Sequence, residues 1–176
     1  NITMEEYVHK VTGAKHFHLS SDNTENVFLV GFRTVPMDST GVAHILEHTS
    51  LCGSKKFPVR DPFFMMIRRS LNTSMNAFTS SDWTAYPFAS KNKKDFNNLL
   101  SVYLDAAFFA RLNAPDFAQE GARLEFSEQE KPDSEIQYKG AGYNETKGAM
   151  NSSNSVLWQK IRHYISMAHL HHFNNA

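Results

Sequence analysis

Apolar residues recur at intervals of three and four between residues 93 and 109. There Phe96, Leu99, Leu100, Tyr103, Leu104 and Ala107 fall on one side of a 3.6-residue spiral, which predicts the best-formed helix of the chain, Lys93 to Phe109. A second stripe, Phe64, Met65, Ile67 and Leu71, predicts a short helix from Phe63 to Ser70. A third helix starts behind the N-cap chemistry of Asp38-Ser39-Thr40-Gly41, carries Val42, Ala43, Ile45 and Leu46, and stops near Cys52-Gly53. Weaker helical signals run from Pro115 to Glu120, Tyr143 to Met150 and Val156 to Met167.

Elsewhere the period drops to two, or apolar residues run together, as in strands. His16-Phe17-His18-Leu19 alternates, Ser20 to Asn23 reads as a turn, and Val27 to Phe32 as a buried strand, so a hairpin joining them is expected. Asn76 to Ser80 and Thr84 to Ala89 predict two strands around a Ser81-Asp82 turn. Pro87 has no N–H to give a ladder, which places the second of these at an edge or a strand end. Arg123 to Phe126 reads as a strand and Ile136 to Gly140 as a strand or a helix lead-in, on either side of a charged loop; the first fifteen residues show no clear pattern. Helices and strands interleave without a regular βαβ rhythm. The expected class is therefore α+β, a mostly antiparallel sheet with helices packed on one face.

Composition narrows the function. With 176 residues, 41% of them hydrophobic and 14 of them phenylalanine, the chain has material for one domain with a proper core. A formal net charge of zero recommends neither nucleic acid nor an anionic membrane as partner. No apolar run approaches the roughly 20 residues of a membrane span. The lone cysteine, Cys52, rules out an internal disulfide framework and reads as a buried small residue.

The chemistry concentrates in His44-Ile45-Leu46-Glu47-His48. Residues four apart on a helix lie about 6 Å apart along its axis on nearly one face, so His44 and His48 can aim two imidazoles at one tetrahedral zinc ion. Glu47 lies beside the second histidine, able to hold a water without being a ligand; H-x-x-E-H is a zinc-peptidase pattern. An exposed polar helix face would produce the same letters. A third ligand is needed, and Glu120, Glu125, Glu145 and the C-terminal histidines are all candidates that periodicity does not separate. Glu145 lies in Gly142-Tyr143-Asn144-Glu145-Thr146-Lys147-Gly148, bracketed by glycines and so close to backbone or ligand. His163, His169, His171 and His172 form a rival cluster, which without an associated carboxylate reads as surface.

The run from His44 to Pro58 resembles the pitrilysin (inverzincin) family, in its branch of presequence proteases and falcilysins. So do Leu71 to Thr79, Lys94-Asp95-Phe96, Val102 to Ala106, Gln119-Glu120-Gly121, Tyr138-Lys139-Gly140 and the Tyr-Asn-Glu-x-Lys-Gly pattern around Glu145. The resemblance implies a pitrilysin-like (mitochondrial processing peptidase-like) domain, one zinc ion held by His44, His48 and Glu145, and Glu47 as the base that activates water. It also implies that an extended peptide adds as a strand to Asn76, Ala77, Phe78 and Thr79, a segment the residues alone present as an ordinary core strand. The implied activity is that of a zinc metalloendopeptidase acting on unstructured peptides such as targeting presequences. The alternative is a catalytically incompetent fragment or homologue that binds a peptide or a subunit. Family members of this branch are far longer and built from two homologous halves. Residues 1–176 thus correspond to a single N-terminal catalytic domain, truncated after about residue 160, with the C-terminal half or a homologous subunit as expected partner. The compartment follows the source: mitochondrial matrix in a eukaryote, cytoplasm or periplasm in a bacterium. The sequence departs from the family at Asn72, Ala122, Ala141-Gly142 and Thr146. Glycine inside a helix costs roughly 1 kcal/mol against alanine, so Gly142 is expected to loosen the segment presenting Glu145, and valine at 141 and 142 to tighten it.

Overall fold

The computed structural model describes residues 2–165. Its first part comprises β1 (Ile2–Val8), β2 (Lys15–Ser21), β3 (Asn26–Arg33), α1 (Val42–Ser50), α2 (Pro62–Arg69), β4 (Asn72–Met75) and β5 (Phe78–Thr79). β6 (Trp83–Ser90), α3 (Lys93–Phe109), α4 (Ala114–Glu120), β7 (Arg123–Phe126), β8 (Ile136–Lys139), α5 (Ala141–Ala149) and α6 (Ser153–Ile165) follow. All strand pairs are antiparallel, and the class is α+β as the patterning predicts. Of the rival histidine cluster, His163 lies on α6, while His169, His171 and His172 lie outside the described residues.

The sheet that positions the site is built on β6, flanked by β3 on one side and by β4 and then β5 on the other. α3 has the bounds its periodicity predicts. It starts where the Asn92 side chain accepts from the Asp95 N–H at 3.0 Å, an N-cap that satisfies one of the helix's free donors. The buried Asp95 carboxylate accepts from Ser90 Oγ at 2.8 Å and from the Leu71 N–H at 3.1 Å, tying the helix start to β6 and to the residue before β4. Tyr86 and Phe88 of β6 form the core with Leu99 and Tyr103 of α3, and Phe28, Val30 and Phe32 of β3 pack against it. Residues two apart on a strand share a face. Tyr86 meets Ser50 of α1, the hydroxyls 3.1 Å apart, and Phe88 meets Tyr103 of α3, ring centres 4.8 Å apart. Both helices therefore lie on one face of the sheet.

Three expectations are corrected. β2 makes its hairpin with β1 (Ile2↔Ser21 to Val8↔Lys15), and β3 pairs instead with β6, far along the chain (Asn26↔Ser90 to Arg33↔Trp83). The inward side chains of β3 need the aromatic face of β6, which the polar β2 cannot offer. Pro87 lies inside the central strand, not at an edge, opposite Leu29 of β3. Its carbonyl accepts from the Asn76 N–H at 3.1 Å, so its missing N–H also faces that side. That is where residues 76 and 77 interrupt the ladder between β4 and β5, so no hydrogen bond is lost. For the same reason the strand expected over Asn76 to Ser80 shrinks to the two residues of β5.

Candidate metal centre

α1 carries His44 and His48 one turn apart, with side chains 13% and 22% exposed. Their Nε2 atoms approach to 3.2 Å. Glu145, from α5, brings Oε2 to 3.8 Å from His44 Nε2 and 3.4 Å from His48 Nε2. Ligands about 2.0–2.1 Å from a tetrahedral ion lie about 3.4 Å from one another, so these three atoms fit three corners around one zinc. This is the one such grouping of His, Cys, Asp and Glu among the described residues. Two imidazoles and a carboxylate are a zinc-type donor set, and three electron-rich atoms turned on each other are reconciled by a cation.

Glu120, a candidate third ligand, stands on the other side of the His48 ring. Its Oε2 is 3.2 Å from Nδ1, and its Oε1 accepts from Gln119 Nε2 at 2.8 Å. Gln119 in turn accepts from the Arg60 guanidinium. With Nδ1–H donating to Glu120, His48 is left with an Nε2 lone pair facing His44 and Glu145, the arrangement by which an outer carboxylate fixes a ligating histidine. Glu120→Ala is expected to weaken zinc binding about 10- to 100-fold, read by competition with a chelating dye; unchanged affinity would remove it from the site. Glu125 is held by Arg123 at 2.9 Å and Lys139 at 3.6 Å and lies outside the cavity lining. Hydrogen bonding from Gln129, then those two cations, keep its carboxyl below the usual range.

Close backbone packing sets the two glutamates around His48. A Cβ on Gly140, just before α5, would lie 1.9 Å from the Gly121 carbonyl oxygen, just after α4. A Cβ on Gly142 would lie 3.1 Å from the Glu120 carbonyl oxygen. Valine at 142, expected to tighten this segment, would also need the Glu120 carbonyl to give by a few tenths of an ångström.

Glu47 is 7% exposed, and its Oε2 accepts from Thr79 Oγ1 at 2.6 Å. It shares with the two histidines and Glu145 a cavity of about 420 Å³, walled opposite by Asn76, Ala77, Phe78 and Thr79. β5 pairs with β6 along one side. The lining includes Cys52; burial of its thiol, reinforced by the Glu120, Asp61 and Asp116 charges, pushes its pKa up to about 12. Cys52 is thus expected to stay protonated and inert to a thiol reagent at pH 8 until the chain unfolds, and rapid labelling of folded protein would contradict this. Because its folded pKa is raised above about 8.5, its contribution to stability is complete below that pH and lost as the pH climbs toward 12.

The sequence profile of the insulinase family, peptidase family M16, matches residues 27–145, more than half of the chain. This chain belongs to peptidase family M16. It is 53% identical over 168 residues to the mitochondrial presequence protease of Xenopus tropicalis, covering 96% of this chain and 16% of that protein. To the mitochondrial presequence protease of Saccharomyces cerevisiae it is 49% identical over 164 residues, 93% of this chain and 17% of that one. The chain thus spans about one sixth of the length of these relatives. In fold it is similar to crystalline pitrilysin, with a TM-score of 0.57 at 22% identity over 65% of this chain and 12% of that one. A protease from Helicobacter pylori gives a TM-score of 0.53 at 19% identity, over 66% of this chain and 28% of its own. The M16 match contains every residue of the centre. Glu120 is among the ligands the sequence offers, but neither its outer position nor the Thr79–Glu47 bond follows from spacing; the Gln-Glu-Gly and Asn-Ala-Phe-Thr blocks are the signals for them.

Proposed function

We propose that this M16 chain is the catalytic portion of a zinc metalloendopeptidase that hydrolyses unstructured peptides, targeting presequences among them. The observation that carries the reading is the convergence of His44, His48 and Glu145 in one cavity with the buried Glu47 carboxylate and the β5 segment. Zinc bound there supplies Lewis acidity toward water and a peptide carbonyl. The rest falls to the chain. An extended peptide adds along Asn76 to Thr79 through main-chain hydrogen bonds, which accept many side chains and demand an unfolded substrate. Glu47 takes the proton of the attacking water and returns it to the departing amine. Glu120 holds His48 in the tautomer that ligates. The mitochondrial naming of the presequence protease relatives supports the mitochondrial matrix as the compartment, and no helix among the described residues is long and apolar enough to cross a membrane.

A second reading rests on the 16% coverage of those relatives: a peptide- or subunit-binding piece that acts only with a second half. Cleavage of a quenched presequence peptide, with and without chelator, separates the two. Chelator-sensitive turnover supports the enzyme. Zinc binding without turnover, rescued by the remaining part of a presequence protease added in trans, supports the second reading. No zinc and no turnover in either arm contradicts both.

A further inference from the structure

The Thr79 hydroxyl that reaches Glu47 ends a longer row. A threonine hydroxyl carries one proton. Thr79 spends its proton on Glu47 Oε2, so in the 3.3 Å contact between Thr79 Oγ1 and Thr84 Oγ1 the donor is Thr84. Thr84 has then spent its own, so in the 2.9 Å contact between Thr34 Oγ1 and Thr84 Oγ1 the donor is Thr34. Three hydroxyls thus point one way, Thr34 to Thr84 to Thr79, and stop on the carboxylate. The row crosses the sheet: Thr34 lies just beyond β3, Thr84 in β6 and Thr79 in β5, where Thr79 and Thr84 are paired in register. Thr84 is 3% exposed. Buried hydroxyls cost free energy unless paired, and valine would fill the same space without that cost. The middle link is the longest and weakest of the three.

We propose that Thr79 is a positioning residue for Glu47, with Thr84 and Thr34 fixing the direction in which its proton is given. The assignment rests on the reading of Glu47 as the base. The bond occupies Oε2, which fixes the plane of the carboxylate and leaves Oε1 to take a proton. It also joins two tasks in one element. The strand proposed to receive the peptide is the strand that holds the base, so a peptide that settles β5 settles Glu47 with it. Alignment of the base, rather than affinity for peptide, is what loss of the hydroxyl should damage.

The test uses zinc-loaded protein, peptide kinetics and urea unfolding of the same variants. Thr79→Val is expected to lower kcat about 10- to 100-fold, the scale of a slightly misplaced catalytic group, with KM changed less than about twofold and zinc content unchanged. Thr79→Ser should recover most of that loss, and Thr84→Val should fall between the two. Thr79→Ser as slow as Thr79→Val would overturn the proposal, because shape and not the hydroxyl would then matter. In urea, the effects of Glu47→Ala and Thr79→Val should be non-additive when combined, as for residues in contact; additive midpoints would also overturn it. If the parent lacks chelator-sensitive hydrolysis, the peptidase reading fails separately, and the urea cycle alone decides the Thr79–Glu47 coupling.

Discussion

Glu47→Gln is expected to abolish peptide hydrolysis while leaving zinc in place. The substitution preserves the volume of a side chain that is 7% exposed and keeps an oxygen able to accept from Thr79, so the fold and the neighbouring histidines are undisturbed. What disappears is the ability to take a proton from water and hand it on. Proton transfer by a positioned side chain contributes about 10²- to 10⁴-fold, and the loss in kcat should lie at the upper end of that range because the other carboxylates described in the cavity, Asp61, Glu120 and Glu145, face partners of their own. Glu120 is engaged with His48 and Gln119, and Glu145 faces the two histidine nitrogens. Kinetics on a quenched peptide together with metal analysis of the same sample check this. A variant that cleaves at the parental rate would strip Glu47 of its role.

Gly140→Ala is expected to damage the centre from outside it. The new Cβ would stand 1.9 Å from the Gly121 carbonyl oxygen and 3.1 Å from the Ala122 Cα, so the backbone before α5 must withdraw from the end of α4. Overpacking of this kind costs about 1–3 kcal/mol, and more where the obstacle is backbone, as here. Withdrawal of α5 carries Glu145 away from His44 and His48, so zinc affinity should fall more than about tenfold, in step with lost stability. Gly148→Ala, on the same helix but facing open space, is the control: alanine favours the helix by up to roughly 1 kcal/mol there, and zinc binding should be unchanged. Equal zinc affinity in the two variants would show that the close approach of α4 and α5 does not set the site.

The elements legible in the sequence are those whose apolar period is local. α3 announces itself through Leu99 and Tyr103, and α1 through the turn that brings His44 over His48. β1 leaves no pattern in the sequence because its apolar residues break the period of two, Ile2 and Met4 on one face and Tyr7 on the other, in a strand exposed along its whole length. The partner of β3 is not legible locally: a nearby turn favours a hairpin, whereas burial of Phe28 against Phe88 outweighs proximity along the chain. Pro87 misled because the rule about ladders concerns a donor, and here the partner strand is broken where that donor would point.

At the centre, spacing alone offers His44, His48 and Glu47 as a candidate site, with an exposed polar helix face as an equal alternative. It does not single out the third ligand. Glu120, Glu125 and Glu145 differ in where α4, β7 and α5 pack, and that packing depends on Gly121 and Gly140 touching across two helices. The glycines around Glu145 point to such an approach, which the structure shows at Gly140 and, less tightly, at Gly142 beside the Glu120 carbonyl. The row of threonines behind Glu47 is invisible to any linear pattern, since it joins residue 84 of β6 and residue 79 of β5 to residue 34 just beyond β3.

The proposed metal centre joins His44, His48 and Glu145 around one ion. Zinc titration of the metal-free chain, followed by calorimetry and compared with Glu145→Ala, measures this. One zinc per chain is expected, bound at least about tenfold more weakly when Glu145 is removed. Wild-type affinity in the Glu145→Ala protein, or no zinc bound by the parent, would contradict it.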